Sequence, residues 1–457
     1  MNLPDRFEGP LEQWVTTQRW FASKAREVAS VNVLERTPLS EDPQLELQLV
    51  EARFHAGTHE LYQLLIGAGE EAVRVLARLL GEEATVDGVS FHGGLEPTGS
   101  IRAMGAEQSN SSIVFGEQQV LKVFRRVEPG INPELEMLRF LSGRGFGAVA
   151  ALTGWYDYSG DLMQTTLGIM QEFVAEARDG WQLALDDPRG VLARLPELGA
   201  ATGEMHTVLA SDPTDPAFSP EEPSVEALSL LTATVDEEIQ RIFLELPEDV
   251  EALDPIRGRG EEVRERLANL SHVASFGKVI RTHGDYHLGQ TLWSQSTLEV
   301  PPAETTAPGG TFEDLEAPPA LGGPSGAQAG LEGDWVVLDF EGEPARSLHE
   351  RRRKRSPLRD VAGMLRSFAY VVSAARIMRG VSVSADWEPR ARQEFLAGYD
   401  STIDHALMPA GQAAVERLLT IFELEKAVYE LRYELNNRPE WIGIPVAAIT
   451  RLLEENE

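Results

Sequence analysis

The sequence predicts an α+β protein of two lobes, the first rich in strands and the second mostly helical. Three observations carry this. In the front half, apolar residues recur in short alternating runs, as in VASVNVLERTPL and LQLVEARFHAG, the period-two pattern of strands with one solvated face. After Trp181 the pattern turns helical, over 190–210, 224–245, 259–272, 357–380, 388–405 and 411–435. The length, 457 residues, is enough for two or three domains, each with its own core.

Within the first 95 residues, the strand-like runs are joined by one helical pattern, EEAVRVLARLL. Residues 98–125 read as strand, polar loop, strand, tight turn at Gly116-Glu117, strand. A helix follows in NPELEMLRFLSG, with Asn132 as N-cap, Pro133 at the first helical position and Gly143 near the stop. Residues 166–181 read as an apolar strand running into a polar loop. The stretch 300–334 holds six Pro, seven Gly, six acids and no Lys or Arg, too little apolar surface to offset ordering entropy. It reads as an insertion before the strand DWVVLDF. The expected division is 1–95, 96–176 and 177–457.

Composition excludes several functions. With no cysteine, disulfides and thiolate metal sites are ruled out. A net charge of −32 argues against broad binding to nucleic acid or anionic lipid. The one basic run, ERRRKRS at 350–356, reads as a solvated or salt-bridged face. No apolar run approaches the roughly 20 residues of a transmembrane helix, and the N-terminus lacks the plan of a signal peptide. The expected location is the cytoplasm.

The chemistry concentrates in RTHGDYHLGQTLW, residues 281–293. His283 and His287 have the spacing of a helical zinc pair, but Gly284 stands where the zinc motif needs its general base, and Gly-Asp is a poor helix interior. Phosphoryl transfer fits better. It needs a carboxylate near the acceptor oxygen and groups that hold Mg²⁺ against the phosphates. Asp285 is followed five residues later by Gln290, and VVLDFEGEP then delivers Asp339 to the end of a strand. Upstream, Lys122 lies in the strand VLKVF. Before it, a hairpin tip carries Ser109, Asn110 and Ser111, whose hydroxyl and N–H groups suit phosphate oxygens. Glu134 and Glu136 lie in the next helix, and one of the two is expected to pair with Lys122, Glu136 being preferred. Gln171, Glu172 and Val174, in MQEFV, fall where a hinge between lobes would present backbone groups to adenine. His206 reads as a packed helical histidine, and Asp360 as an N-cap that braces the 283–285 loop.

THGDYHLGQTLW, VVLDFEGEPA and SPLRDVAGMLRSFAY resemble the signatures of the actinobacterial-type maltokinases, relatives of the aminoglycoside phosphotransferases. So do RWFASKAR, EQSNSSIVFGEQQVLKVFRRVEPGINPELE and YELRYELNNRPEWIGIPVAAI, so that the resemblance covers nearly the whole chain outside 300–334. It implies a protein-kinase-like fold with an N-terminal cap subdomain, an intermediate subdomain completing the N-lobe, and a helical C-lobe. The implied activity is transfer of the ATP γ-phosphate to the anomeric hydroxyl of maltose, linking trehalose to α-glucan synthesis, with trehalose synthase as partner. Carried over, Asp285 is the catalytic base, Gln290 and Asp339 hold Mg²⁺ with Glu341 assisting, and Lys122 contacts phosphate.

A sugar site is expected on the helix through 423–437, where Lys426, Glu430, Tyr433 and Asn437 share one face at steps of four, three and four. Arg438, Glu440 and Trp441 follow directly, and polar groups beside an aromatic plate suit a sugar. His287 is expected to face the acceptor. The insertion departs from the family's usual spacing. The same-class alternative is an aminosugar (glucosamine) or aminoglycoside kinase; such enzymes tend to carry Asp-Asn where this chain has Glu341 and Glu343. The non-enzyme alternative is a silent kinase-like scaffold docking on trehalose synthase, against which intact Lys122, Asp285, Gln290 and Asp339 count.

Overall fold

The computed structural model of the protein describes residues 9–67, 69–93, 97–104, 110–270, 276–295, 333–344 and 346–454. The chain divides into two compact units, one running to Glu176 and the other beginning at Ala177. Ser109 and residues 300–332 of the insertion lie outside the described residues.

The first unit opens with helix α1 (Leu11–Thr17) and the long hairpin strands β1 (Val28–Glu41), β2 (Gln44–Phe54) and β3 (His59–Gly67). Helix α2 (Gly69–Gly81) and the short strands β4 (Thr85–Val86), β5 (Val89–His92) and β6 (Ile101–Ala103) follow. Then come β7 (Asn110–Phe115), β8 (Gln119–Phe124), β9 (Arg126–Val127), α3 (Pro133–Gly143), β10 (Leu152–Ser159) and β11 (Gln164–Glu172). Two antiparallel sheets result, β1-β2-β3-β9 and β4-β5-β10-β11-β8-β7-β6. Between the sheets α2 buries Val73, Val75, Leu76, Leu79 and Leu80 in one apolar cluster with Leu47, Phe91, Leu121, Val123 and Tyr156. The turn between β7 and β8 needs left-handed backbone at two positions, Gly116 at φ +57° and Glu117 at +53°. Glycine costs nothing there, and a Cβ at Gly116 would meet the Thr98 carbonyl at 2.6 Å.

The second unit contains β12 (Ala177–Asp179), α4 (Gly180–Asp186), α5 (Pro188–Leu192), α6 (Leu195–Leu209), α7 (Val225–Leu244) and α8 (Gly260–Leu270). After them come β13 (Thr291–Ser294), β14 (Asp334–Val337), α9 (Leu348–Arg351), α10 (Leu358–Arg379), α11 (Trp387–Thr402), α12 (Gln412–Asn437) and α13 (Gly443–Glu454). Strands β12-β13-β14 form a small antiparallel sheet. By length and composition α10 is apolar enough to cross a membrane, contrary to the sequence reading. It is instead the core helix of this unit. Val361, Met364, Leu365 and Phe368 are fully buried, and so is Arg366, whose guanidinium is held 2.6 Å from Glu430 of α12.

Candidate active site

Ladder register assembles the first part of the site. In β13 and β14, Thr291 pairs with Val337, and the pairing continues through a bond from the Leu338 N–H to the Gln290 carbonyl at 2.9 Å. Gln290 and Asp339 are thereby brought side by side, and the Gln290 amide donates to Asp339 Oδ2 at 3.1 Å. Asp339 is left-handed, at φ +62°, a strained conformation for a residue with a Cβ and one that clusters at functional sites. An amide oxygen and a carboxylate are hard donors, the set that suits Mg²⁺. Glu341 lies beside Arg351, whose guanidinium donates to the Glu341 carbonyl at 3.2 Å.

The loop carrying Asp285 is held from behind by Asp360. That carboxylate accepts from the backbone N–H of His283 at 2.7 Å and of Gly284 at 2.9 Å, and pairs with His206 Nε2 at 3.1 Å. Tyr399 closes the chain on His206 Nδ1 at 3.1 Å. Burial pushes the Asp360 carboxyl up. The His206 hydrogen bond, the charges of His206 and His283, and the Gly284 N–H outweigh that, and the group lies below the usual carboxylate range. Asp360 is therefore not an N-cap, as the sequence suggested. It sits in the first turn of α10, whose N-cap is Pro357, and braces the loop by accepting its N–H groups. Gly284, at φ +86°, lets the chain turn there. His283 is buried, with Nε2 2.8 Å from the Leu338 carbonyl, which ties the loop to the segment after β14, and Nδ1 accepting the Asp285 N–H at 3.3 Å, which ties the loop to itself.

His287 caps the single 3₁₀ turn at 288–290, accepting the Gly289 N–H on Nδ1 at 3.1 Å. Its Nε2 lies 4.0 Å from Asp285. Burial holds its pKa below the usual histidine value, with Asp285 opposing and Lys426 adding to the depression.

Asp285 opens into a cavity of about 340 Å³ lined on one side by Phe422, Glu425, Lys426, Tyr429 and Arg432 of α12. Lys426 Nζ is 3.5 Å from Asp285 Oδ1. Burial pulls the lysine down, but Asp285, Glu430 and Glu343 outweigh it, so the ammonium is held charged above its usual range. Glu343, Arg346, Arg355 and Arg359 line the cavity as well.

The face of α12 that reaches the cavity is not the one read from spacing. Lys426 belongs to both, but the inward set steps through 422, 425, 429 and 432, whereas Glu430 turns toward α10 and is buried against Arg366. A 26-residue helix presents polar residues on more than one face, and spacing alone does not distinguish them. Tyr433 is exposed. Arg438 pairs with Glu434 at 2.8 Å and lies over the rings of Tyr433 and Trp441. Trp441 is buried and stacked on Tyr370 at 6.1 Å. None of these four lines the cavity, nor does His287.

In the first unit, the carboxylate on Lys122 is Glu134, at 2.7 Å, and not the expected Glu136. The Asn132 cap explains the choice: its side chain accepts the Glu134 N–H at 2.8 Å and starts the helix so that Glu134 is buried in the first turn. Across the β7–β8 ladder Lys122 stands opposite Ser112, and Ser111 accepts from Arg125 at 2.8 Å. Asn110 opens β7 and is buried. Gln171 and Glu172 end β11, the Gln171 amide donating to the Ala150 carbonyl at 3.3 Å. Val174 is buried just beyond.

Comparison with known proteins agrees with this architecture. Residues 14–91, from α1 to β5, match the maltokinase N-terminal cap domain. The chain is 26% identical to the glucosamine kinase of Streptacidiphilus jiangxiensis, over 85% of this chain and 82% of that one. It is 24% identical to the glucosamine kinase of Mycolicibacterium smegmatis, over 78% and 80%. A solved glucosamine kinase, in complex with glucosamine, ADP and inorganic phosphate, superposes with a TM-score of 0.67 at 19% identity, covering 98% of this chain and 100% of that one. The fold is that of the glucosamine kinases. It is thus kinase-like, as expected, with a maltokinase-type cap at its start and a helical second unit.

Proposed function

We propose that the protein is an ATP-dependent sugar kinase whose acceptor is maltose, phosphorylated at the anomeric hydroxyl. The observation that carries the reading is Asp285 with Lys426 beside it, at a cavity whose α12 wall runs from Phe422 to Arg432. At 1.5 Å per residue that wall is about 15 Å long, more than a single sugar ring needs.

The acceptor hydroxyl gives its proton to Asp285 as its oxygen bonds the γ-phosphorus, and the β–γ bridging oxygen leaves with ADP. Lys426 orients Asp285 and offsets negative charge gathering near the acceptor oxygen. Gln290 and Asp339 would hold Mg²⁺, which supplies charge neutralisation at the phosphates when bound. Lys122, fixed by Glu134, is assigned to the nucleotide phosphates, with Ser109, Asn110 and Ser111 near them and the backbone of 171–174 to adenine. Within the cavity Tyr429 supplies the aromatic face for the sugar. Residues 1–95 are assigned as the cap, 96–176 as the intermediate subdomain and 177–457 as the lobe of the acceptor. Trehalose synthase as partner, and the cytoplasm as location, belong to the maltokinase reading and fall with it.

The homologues named glucosamine kinase favour a second reading, an aminosugar kinase. Against it, the cavity's glutamates are already engaged: Glu238 with Arg432 at 2.6 Å, Glu425 with Arg359 at 2.9 Å and Glu343 with Arg346. Asp285 has Lys426 at 3.5 Å, so each of these carboxylates already faces a cation. ³¹P NMR of the product formed from maltose and Mg²⁺-ATP tests the proposal. A sugar 1-phosphate doublet is expected, and phosphorylation of glucosamine without maltose would replace it by the second reading.

A further inference from the structure

The basic run at 350–356 does not behave throughout as a solvated or salt-bridged face. Lys354 pairs with Glu221 and Arg353 is exposed, but Arg355 turns into the cavity beside Asp285. Every other cation lining that cavity has a carboxylate partner: Arg346 has Glu343, Arg359 has Glu425, Arg432 has Glu238 and Lys426 has Asp285. Among the described residues Arg355 has none. Its guanidinium makes only a long contact to the Glu350 carbonyl, 3.4 Å. Burial, then repulsion from Arg359 and Arg346, pushes it down to about 10, with Glu425 and Glu343 pulling the other way. It therefore stays charged at neutral pH, half-buried and flanked by two like charges. A neutral hydroxyl would satisfy its N–H groups without relieving that repulsion; an anion does both.

We propose that Arg355, with Arg346 and Arg359 beside it, forms an anion subsite of this cavity that takes the phosphoryl group of a sugar phosphate. The guanidinium fork matches phosphate oxygens bidentately, and Tyr429 and Lys426 in the same cavity suit the sugar. The sugar half of the assignment rests on the kinase reading; the anion half does not. The ligand is either the enzyme's own product, held back after transfer, or another sugar phosphate that competes with the acceptor.

The test is calorimetric titration of inorganic phosphate into the full chain, a readout that needs no turnover. Phosphate is expected to bind the wild type, to bind Arg355→Gln about tenfold more weakly, and to recover in part with Arg355→Lys. Arg353→Gln, an exposed neighbour in the same run, is expected to bind as wild type. Thermal unfolding of each variant shows that it is folded. Equal loss in Arg353→Gln, or wild-type binding by Arg355→Gln, overturns the subsite. Maltose 1-phosphate and glucose 6-phosphate then separate the sources: whichever binds more tightly than inorganic phosphate is the ligand type. If neither does, the sugar half is overturned while the anion half stands.

Discussion

Lys426 holds its ammonium 3.5 Å from Oδ1 of Asp285, joining a residue of α12 to the loop before β13. No local spacing links these positions, yet the contact sets the electrostatics of the candidate base. Lys426→Met is expected to lower kcat on the order of 10²-fold, with the KM for ATP little changed, and Lys426→Arg to retain part of the rate. Because its pKa is raised, the ammonium persists through the ordinary lysine range of about 10.4, so wild-type kcat should show no alkaline loss from this group below that pH. Steady-state kinetics across pH checks both statements.

In the proposed nucleotide site the ion pair is Lys122–Glu134, with Glu134 buried in the first turn of α3. Glu134→Gln should depress kcat/KM for ATP by about 10²-fold through loss of lysine alignment. Glu136→Gln should stay within about twofold of wild type, since it lies two residues on, about 200° round the helix from Glu134. Equal effects from the two substitutions would contradict the pairing.

Asp360 supports the loop through a carboxylate held below its usual range. A depressed pKa means the ionised form stabilises the fold above the unfolded value of about 3.9, and that contribution is lost as pH falls through the folded value. Asp360→Asn should cost roughly 3–5 kcal/mol at pH 7, by removing the buried charge beside His206 and turning one of two acceptor oxygens into an N–H donor. Its stability should converge on the wild type's only as pH falls below the unfolded value of about 3.9 and through the depressed folded value, where both lack the charge. Urea titrations at several pH values measure the gap.

Glu430 and Tyr429 are adjacent in sequence and opposite in role. Glu430→Gln should destabilise the fold, by roughly 3–5 kcal/mol, because Arg366 is then buried without its partner. Tyr429→Ala should leave stability nearly unchanged and raise the acceptor KM, losing about 1–3 kcal/mol of ring contact. Thermal melts and acceptor titrations separate the two.

Local signals were legible wherever a short stretch decides its own structure. Asn132 and Pro133 announce the start of α3, Gly116 announces the β7–β8 turn, and the spacing from Asp285 to Gln290 spans one loop and one 3₁₀ turn. What periodicity does not encode is which neighbour an element meets. The Asp360–His206 pair joins residues 154 positions apart, so His206 looked like packing and Asp360 like a cap. The choice between Glu134 and Glu136 turns on about 200° of helix rotation, and that between two faces of α12 on about 100°, each relative to a distant partner. Arg355 was hidden for a different reason: a run of basic residues reads as one solvated face until its members are seen to point apart.

The central claim is that Asp285 activates a sugar hydroxyl in the cavity along α12. Coupled ADP release with Mg²⁺-ATP against maltose, glucose, glucosamine, trehalose and an aminoglycoside, run on wild type and Asp285→Asn, tests it most directly. The account predicts turnover with maltose above the rest, and a loss on the order of 10²–10⁴ in the variant while ATP still binds. Turnover that survives Asp285→Asn, or silence on every sugar with ATP bound, would contradict it.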